Sequence, residues 1–479
     1  MTDLELDAGS FRDPGGRIVT YRGRIFRVVS RYSLDDWRDF SASPLCDELQ
    51  RDALLIPTRP APDELRAQLA PDDPAAVVLE HDRVPFVSYP YEWTFSMLCD
   101  AALLHLDLLE RALARGFVLK DATPYNVQFL GARPVFIDVL SFARYQPGDP
   151  WAGYNQFCKM MLYPLMLEAY KRVPFQPWLR SELEGLDPLT FSRLLGLRDL
   201  LRPGVFTHVK LHAWLQQKME SERTSVRGEI QRAGLSRDAL LANIRGLRRL
   251  LNRLAPQGTT SHWSDYERTC TYDAAALKQK EEFVRRAASS RDTRGGSSDA
   301  LRRLVWDLGA NVGHFSRLAA EHAATVVALD TDAASIDRLY LALKKERREN
   351  ILPLLMNVAN PSPDQGWRGR ERRSLLARGK PELVLCLALV HHLRISANIP
   401  VAAFLDWLAG LGAGAVLEYV SKDDPQTRRL LLNKDDTYDD YTREAFEAAL
   451  RKLFRVEAAL ELPGGTRIIY HASPLGHAS

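Results

Sequence analysis

The chain has 479 residues, 46% of them hydrophobic, and a net charge of +3. At about 150 residues per domain this length suggests about three units with ample apolar content for packed cores, and so small a net charge excludes a strong general affinity for nucleic acid. The cysteines at 46, 99, 158, 270 and 386 stand singly, the acidic start Met-Thr-Asp-Leu-Glu-Leu-Asp is no signal peptide, and no apolar run reaches the roughly eighteen residues of a membrane span, so a cytoplasmic protein with reduced thiols is expected.

Residues 1–95 read as a small β-containing lobe. Short strands are expected over 17–21 and 24–29, after the turn Asp13-Pro-Gly-Gly16, and the run 57–74 is a proline-rich exit. Residues 96–256 read as largely helical. Within them, residues 119–142 place Asp121 and Asn126 in D-x-x-x-x-N spacing. A hairpin over 127–130 and 134–137 follows, turning at Gly131, and Asp138 closes it.

This segment resembles the catalytic segment of protein-kinase-like and aminoglycoside-phosphotransferase-like enzymes. The resemblance implies that Asp121 orients an acceptor hydroxyl, and that Asn126 and Asp138 hold magnesium on a nucleotide. The preceding lobe departs from the pattern. It has no G-x-G-x-x-G loop, Lys120 is the first lysine of the chain, and no His-Gly or His-Arg pair precedes Asp121. An α+β kinase-like fold without phosphotransfer is therefore expected, since fold does not imply function. Binding of ATP and magnesium, in a bifunctional small-molecule kinase and methyltransferase, is the alternative.

Farther along, Leu240, Ile244, Leu247, Leu251 and Leu254 recur at alternating four and three, a seam facing a partner. Arg245, Arg248, Arg249 and Arg253 beside it read as the solvated flank of a docking helix. Residues 257–300 read as lead-in and linker. Trp263, Tyr266, Tyr272 and Phe283 lie in the lead-in, and 289–298, with Gly295 and Gly296, is the linker.

Residues 301–479 carry the most informative stretch, Val305-Trp-Asp-Leu-Gly-Ala-Asn-Val-Gly313. An apolar run ends at Asp307, glycines follow at 309 and 313, and an amphipathic segment begins at Phe315: strand, tight turn, helix. A second apolar run, 325–329, ends in Asp330, which is how an open α/β sheet builds a nucleoside site at the carboxyl ends of its strands. A dinucleotide motif requires three glycines where this chain has Gly309, Asn311 and His314, and no P-loop exists. The acid at 307 would repel a phosphate but suits a cationic amino-acid end. S-adenosylmethionine has that end, and a ribose for Asp330.

The D-x-G-x-x-x-G pattern at 307–313 resembles the first motif of class I S-adenosylmethionine-dependent methyltransferases. The resemblance implies a doubly wound, seven-stranded α/β sheet. It implies a cofactor site of Asp307, Gly309, Ala310, Asn311, Gly313, His314, Asp330 and Thr331, with Asn357 and Val358 around the adenine. Further strands are expected over 351–356, 383–389, 415–419, 454–460 and 466–471, and helices over 335–345, 399–411 and 443–453. The arrangement of both halves resembles a bacterial group in which a kinase-like region precedes a methyltransferase and some members carry nodulation-protein labels. The run Pro85 to Trp93 and the segment 121–138 carry that likeness.

At the methyl-transfer end, His391 and His392 follow the fourth strand, and histidine suits proton removal near neutral pH. Adjacent residues leaving a strand point opposite ways, so one of the two should face the cleft. Glu418, ending the fifth strand, is a third candidate, and Cys386 reads as core. The run 423–441 is rich in acids, with Tyr438 and Tyr441 interleaved, and reads as a lid or acceptor pocket rather than a purely solvated loop. No N/D-P-P-Y/F run follows the fourth strand. That absence disfavours amino groups of nucleobases and leaves a small metabolite, a sugar, a peptide or RNA open; an oxygen or nitrogen of a small molecule is the expected acceptor, with nucleic acid not expected as a partner and no membrane. A protein that binds S-adenosylmethionine without methylating is the remaining alternative.

Overall fold

The structure, a computed structural model, describes residues 4–71, 73, 76–222, 236–256, 274–290, 303–432 and 434–475. Most of the expected linker, and Trp263, Tyr266, Cys270 and Tyr272, lie outside the described residues. The chain divides into two compact units, one of Met1–Phe129, Pro134–Thr259 and Gly366–Arg372, the other of Leu130–Arg133, Thr260–Gln365 and Arg373–Ser479. Among the described residues no helix is long and apolar enough to cross a membrane.

In the first unit, β1 (Leu4–Leu6), β2 (Gly16–Tyr21), β3 (Arg24–Val29), β4 (Thr58–Pro60) and β5 (Val77–His81) form an antiparallel sheet in the order β1-β2-β3-β5-β4. Tyr21 pairs with Arg24, so only Arg22 and Gly23 turn. Both have positive φ, 49° and 74°, as the two-residue turn that matches strand twist demands. Next comes the helix Phe95–Ala114, capped by the Thr94 hydroxyl accepting from the Met97 N–H at 3.3 Å. Then β6 (Phe117–Leu119) pairs with β9 (Phe142–Arg144), and β7 (Val127–Leu130) with β8 (Arg133–Phe136). The leucine seam lies on the helix Arg237–Leu251, where Leu240, Ile244, Leu247 and Leu251 are buried. Arg245 and Arg248 flank it and pair with Glu110 at 2.9 and 3.1 Å.

One core position works against the fold in acid. His105, on the Phe95–Ala114 helix, is fully buried among the rings of Phe136, Trp151 and Phe157. Among the described residues neither of its ring nitrogens has a hydrogen-bond partner. Burial pushes its pKa down to about 3 from an ordinary 6.5. The unfolded chain then takes a proton below about 6.5 that the folded chain refuses, so stability falls as pH drops from 6.5 towards 3. His105→Phe is expected to stabilise the chain by about 1–3 kcal/mol at pH 7, by removing unsatisfied polar atoms, and to flatten that acid limb. Urea unfolding at pH 7 and pH 5 checks both, and an unaltered pH slope would contradict a neutral buried imidazole.

The second unit is built on a sheet of order β12-β11-β10-β13-β14-β16-β15. Its strands are β10 (Leu304–Leu308), β11 (Thr325–Asp330), β12 (Ile351–Leu355), β13 (Leu383–Cys386), β14 (Gly414–Val420), β15 (Phe454–Glu461) and β16 (Arg467–Pro474). The first five run parallel, and β16 runs antiparallel to both β14 and β15. The core of β10, β11 and β13 is almost wholly apolar because helices cover parallel sheets on both faces. Two of the edges that differ from expectation have a local cause. β13 stops at Cys386 rather than 389, because Ala388 takes a left-handed φ of 50° and turns the chain out of the sheet. The helix expected from 399 begins at Val401 with Pro400 as its cap, since proline cannot sit deeper in a helix. The run 423–441 contains a helix, Pro425–Leu431.

Candidate active site

The carboxyl ends of β10 and β11 lie side by side, with Leu308 opposite Leu329. The turn after β10 folds back on β11: the N–H groups of Gly309 and Ala310 both donate to the Leu329 carbonyl, at 2.8 and 3.0 Å. That reversal needs left-handed backbone at Gly309 (φ 80°) and Gly313 (φ 79°), and Asn311 adopts it too, at 51°. Asp330 locks the turn. One of its oxygens accepts from the Asn311 N–H at 2.8 Å and the other from the Asp332 N–H at 2.9 Å. Each oxygen keeps a lone pair for a ligand hydroxyl.

A cleft of about 800 Å³ opens above this turn. Asp307, Gly309, Ala310, Asn311, His314, Asp330, Thr331, Asn357 and Val358 all line it. Gly313 does not. Its expected place at the cofactor is corrected to a packing role, because a Cβ there would stand 2.5 Å from Leu339 Cδ1, so glycine lets this turn close against the helix Ala333–Glu346. Asp307 is 2% exposed and accepts from the Ser316 hydroxyl at 2.5 Å. Burial, with Asp330 nearby, lifts its pKa to about 6. Burial raises that of Asp330 as well.

The histidine pair splits. His392 lines the cleft, while His391 is 1% exposed and lies behind it, the two rings 4.2 Å apart. Burial and Arg467 hold the His392 pKa down at about 4, and burial, His392 and Arg467 hold that of His391 well below its ordinary 6.5. Both are neutral at pH 7.

Glu418 is corrected outright. It is 0% exposed and is not on the cleft wall. Its Oε2 accepts from Lys280 Nζ at 2.6 Å, and its Oε1 from Arg467 Nη1 at 3.4 Å. Arg467 is also gripped by both oxygens of Asp424, at 2.7 and 3.0 Å. Two cations hold both its oxygens, so Glu418 is part of a buried charge network rather than a base at the reacting end.

No family model matches the chain. The nodulation protein NoeA of Rhizobium meliloti (strain 1021) is 34% identical over 465 residues, which span 97% of this chain and 95% of that protein. The chain belongs to the NoeA family. Solved structures are far more distant. A SAM dependent methyltransferase from Aquifex aeolicus is 14% identical with a TM-score of 0.30, covering 45% of this chain and 100% of its own. The N-methyltransferase NodS from Bradyrhizobium japonicum WM9 is 11% identical with a TM-score of 0.29, covering 42% and 97%. WbdD is 17% identical with a TM-score of 0.32, covering 45% and 43%. The chemistry of this NoeA-family cleft is therefore read from its own residues.

The donor set fits S-adenosylmethionine. Asp330 offers a lone pair from each oxygen to a ribose, Asp307 a carboxylate to a cationic amino group, and Met356, Asn357 and Val358 a partly apolar slot for a base. Lys280 completes the wall at the amino-acid end. It is nearly buried, on the helix Ala274–Ser289, with Nζ 4.8 Å above the Phe315 ring. The sequence offers no motif for Lys280. Its only signal is a lone lysine on the inner face of the lead-in helix, beside Phe283. Nor did Leu277, Ser396 and Leu430, also on the wall, carry any recognisable pattern.

The run 423–441 is pinned at its two tyrosines, although most of its described residues are exposed. Tyr438 donates to the Ile395 carbonyl at 3.0 Å and Tyr441 to the Val420 carbonyl at 2.8 Å, both rings buried. Asp436 pairs with Lys422, and Asp440 with Arg394.

In the first unit, the NoeA-family chain brings Asp121, Asn126 and Asp138 together. The Asn126 amide donates to Asp121 at 2.9 Å and to Asp138 at 3.4 Å. The Ser141 hydroxyl donates to Asp121. Arg27, on β3, is only 7% exposed and donates to Asp138 Oδ1 at 2.6 Å. Burial and the neighbouring Asp138 lift the Asp121 pKa to about 6. Among the described residues no group of three or more His, Cys, Asp or Glu side chains is placed to hold a metal ion.

Proposed function

We propose that this NoeA-family chain is an S-adenosylmethionine-dependent methyltransferase whose reaction centre is the cleft above β10, β11 and β13, acting on an oxygen or nitrogen of a small molecule. The observation that carries the reading is the Asp330 lock. An acid at the end of β11 holds the glycine turn through the Asn311 N–H and its own turn through the Asp332 N–H, and still presents both oxygens to the cleft. S-adenosylmethionine would supply an activated methyl group on a sulfonium. The chain's part is to bind, orient and exclude water, since methyl transfer depends chiefly on in-line positioning. His392 is neutral at pH 7, with one ring nitrogen unprotonated, but with a pKa near 4 it is a weak base. Its imidazole orients the acceptor by accepting a hydrogen bond and takes the leaving proton only in passing. The division into lobes 1–95 and 96–256, lead-in 257–300 and methyltransferase 301–479 is part of this proposal. So is the silence of the Asp121–Asn126–Asp138 cluster in phosphotransfer, which the Arg27 pairing with Asp138 supports.

Calorimetry of the full chain with S-adenosylhomocysteine tests the reading. Micromolar binding is expected, and no binding by a demonstrably folded chain would sink it. The pH dependence of that binding tests Asp307. With its pKa raised to about 6, Asp307 is ionised above pH 6 and must lose a proton to meet a cationic amino group below it. Affinity is therefore expected to be flat above about pH 7 and to weaken by up to about tenfold for each unit of pH below 6. Asp307→Asn should bind weakly with no such slope. A wild-type affinity flat from pH 7.5 to 5 would remove Asp307 from the amino-group contact.

A further inference from the structure

The cleft wall is unequal along its length. Its ionisable acids and its one lysine stand on β10, β11, the turn that follows β11, or the lead-in helix: Asp307, Asp330, Asp332 and Lys280. Beyond β13 the wall changes character. The segment after β13, through the turn His392–Ser396 to Ala397, and the helix Pro425–Leu431 contribute Leu389, Leu393, Ala397 and Leu430, with His392 and Ser396 the only polar side chains there among the described residues. The charges carried by these same segments stand off the wall. Arg394 pairs with Asp440 at 2.7 Å and Arg428 with Asp423 at 3.0 Å, while Arg429 is exposed on the helix and does not line the cleft. A charged group entering this half would lose its hydration and find no counter-ion, a heavy penalty for a buried ion.

We infer that the methyl acceptor has an uncharged, largely apolar body that lies against Leu389, Leu393 and Leu430 and bears one hydroxyl or neutral nitrogen facing His392 and Ser396. The inference rests on the methyltransferase reading and narrows it. In the step, the acceptor's lone pair forms the new bond to methyl as the methyl–sulfur bond breaks. The acceptor's proton passes through His392 to water, and S-adenosylhomocysteine leaves as a neutral thioether. Phosphorylated, carboxylated and polyanionic acceptors are excluded by the same wall.

The test uses the full chain saturated with S-adenosylhomocysteine, whose own binding is measured first. Three uncharged probes of different shape, 1-naphthol, 4-butylphenol and 1-octanol, are compared with their phosphate monoesters by equilibrium binding. At least one uncharged probe is expected to bind about tenfold or more tightly than its ester. Leu430→Glu, at a half-buried position on the acceptor side, should abolish that preference while leaving the affinity for S-adenosylhomocysteine within about twofold. Esters that bind as well as the parent compounds, or loaded protein that takes none of the three uncharged probes, would overturn the inference and leave the cofactor reading standing. Failure of S-adenosylhomocysteine to bind folded protein would overturn both.

Discussion

Glu418→Ala is expected to lower the stability of the chain by about 3–5 kcal/mol, because it strands a buried charge rather than deleting a contact. Lys280 is 1% exposed and Glu418 0%, so water cannot replace the 2.6 Å ion pair between them. Arg467 retains Asp424, so the loss falls mainly on Lys280. Urea unfolding measures the change. The double variant Lys280→Met with Glu418→Met removes both charges together and should recover most of the stability, since apolar replacement of a whole buried pair is often neutral. A Glu418→Ala loss under about 1 kcal/mol, the range of exposed pairs, would mean that the pair is hydrated in solution.

Asp330→Ala is expected to weaken binding of S-adenosylhomocysteine by about 1.5–3 kcal/mol, the worth of a charged hydrogen bond, or roughly ten- to 150-fold in Kd. Two contributions should appear together. The ribose loses its acceptor, the Asn311 N–H loses the oxygen that holds the glycine turn in its left-handed form, and the Asp332 N–H loses its partner in the turn after β11. Calorimetry reads the first and urea unfolding the second. Lost stability with unchanged affinity would reduce Asp330 to a turn lock and remove the ribose contact from the reading.

The features legible in the sequence are those fixed by neighbours along the chain. The strand, glycine turn and acid at 305–313 and 325–330 could be read because apolar runs and positive-φ positions are local properties, and the leucine seam of 240–251 because its period is. Of His391 and His392 one does reach the cleft wall, but not by the expected strand alternation, because β13 ends at Cys386 and both histidines lie in a helical segment. Glu418 could not be read. Its position at the end of β14 says which edge of the sheet it reaches, but its partners, Lys280 and Arg467, lie 138 and 49 residues away. Only the assembled unit decides whether that carboxylate meets ligand or cation. Asp138 is the same case, its Arg27 partner 111 residues distant. Leu430 was hidden differently, the first of three consecutive leucines of which only the helix Pro425–Leu431 decides which one faces the cleft. The early end of β13 depends on Ala388 adopting a conformation that composition gives no reason to expect of alanine.

The charge chain Lys280–Glu418–Arg467–Asp424 ties the helix Ala274–Ser289 to β14 and β16, although among the described residues ten strand and helix segments lie between that helix and β14. A gene fragment cut just ahead of β10 would contain every strand of the sheet, yet its interior would hold an acid whose nearest cation had been left behind. The smallest piece able to stand alone therefore begins upstream of residue 274. The helix and the sheet should fold in one cooperative transition, so that proteolysis between them releases no stable core.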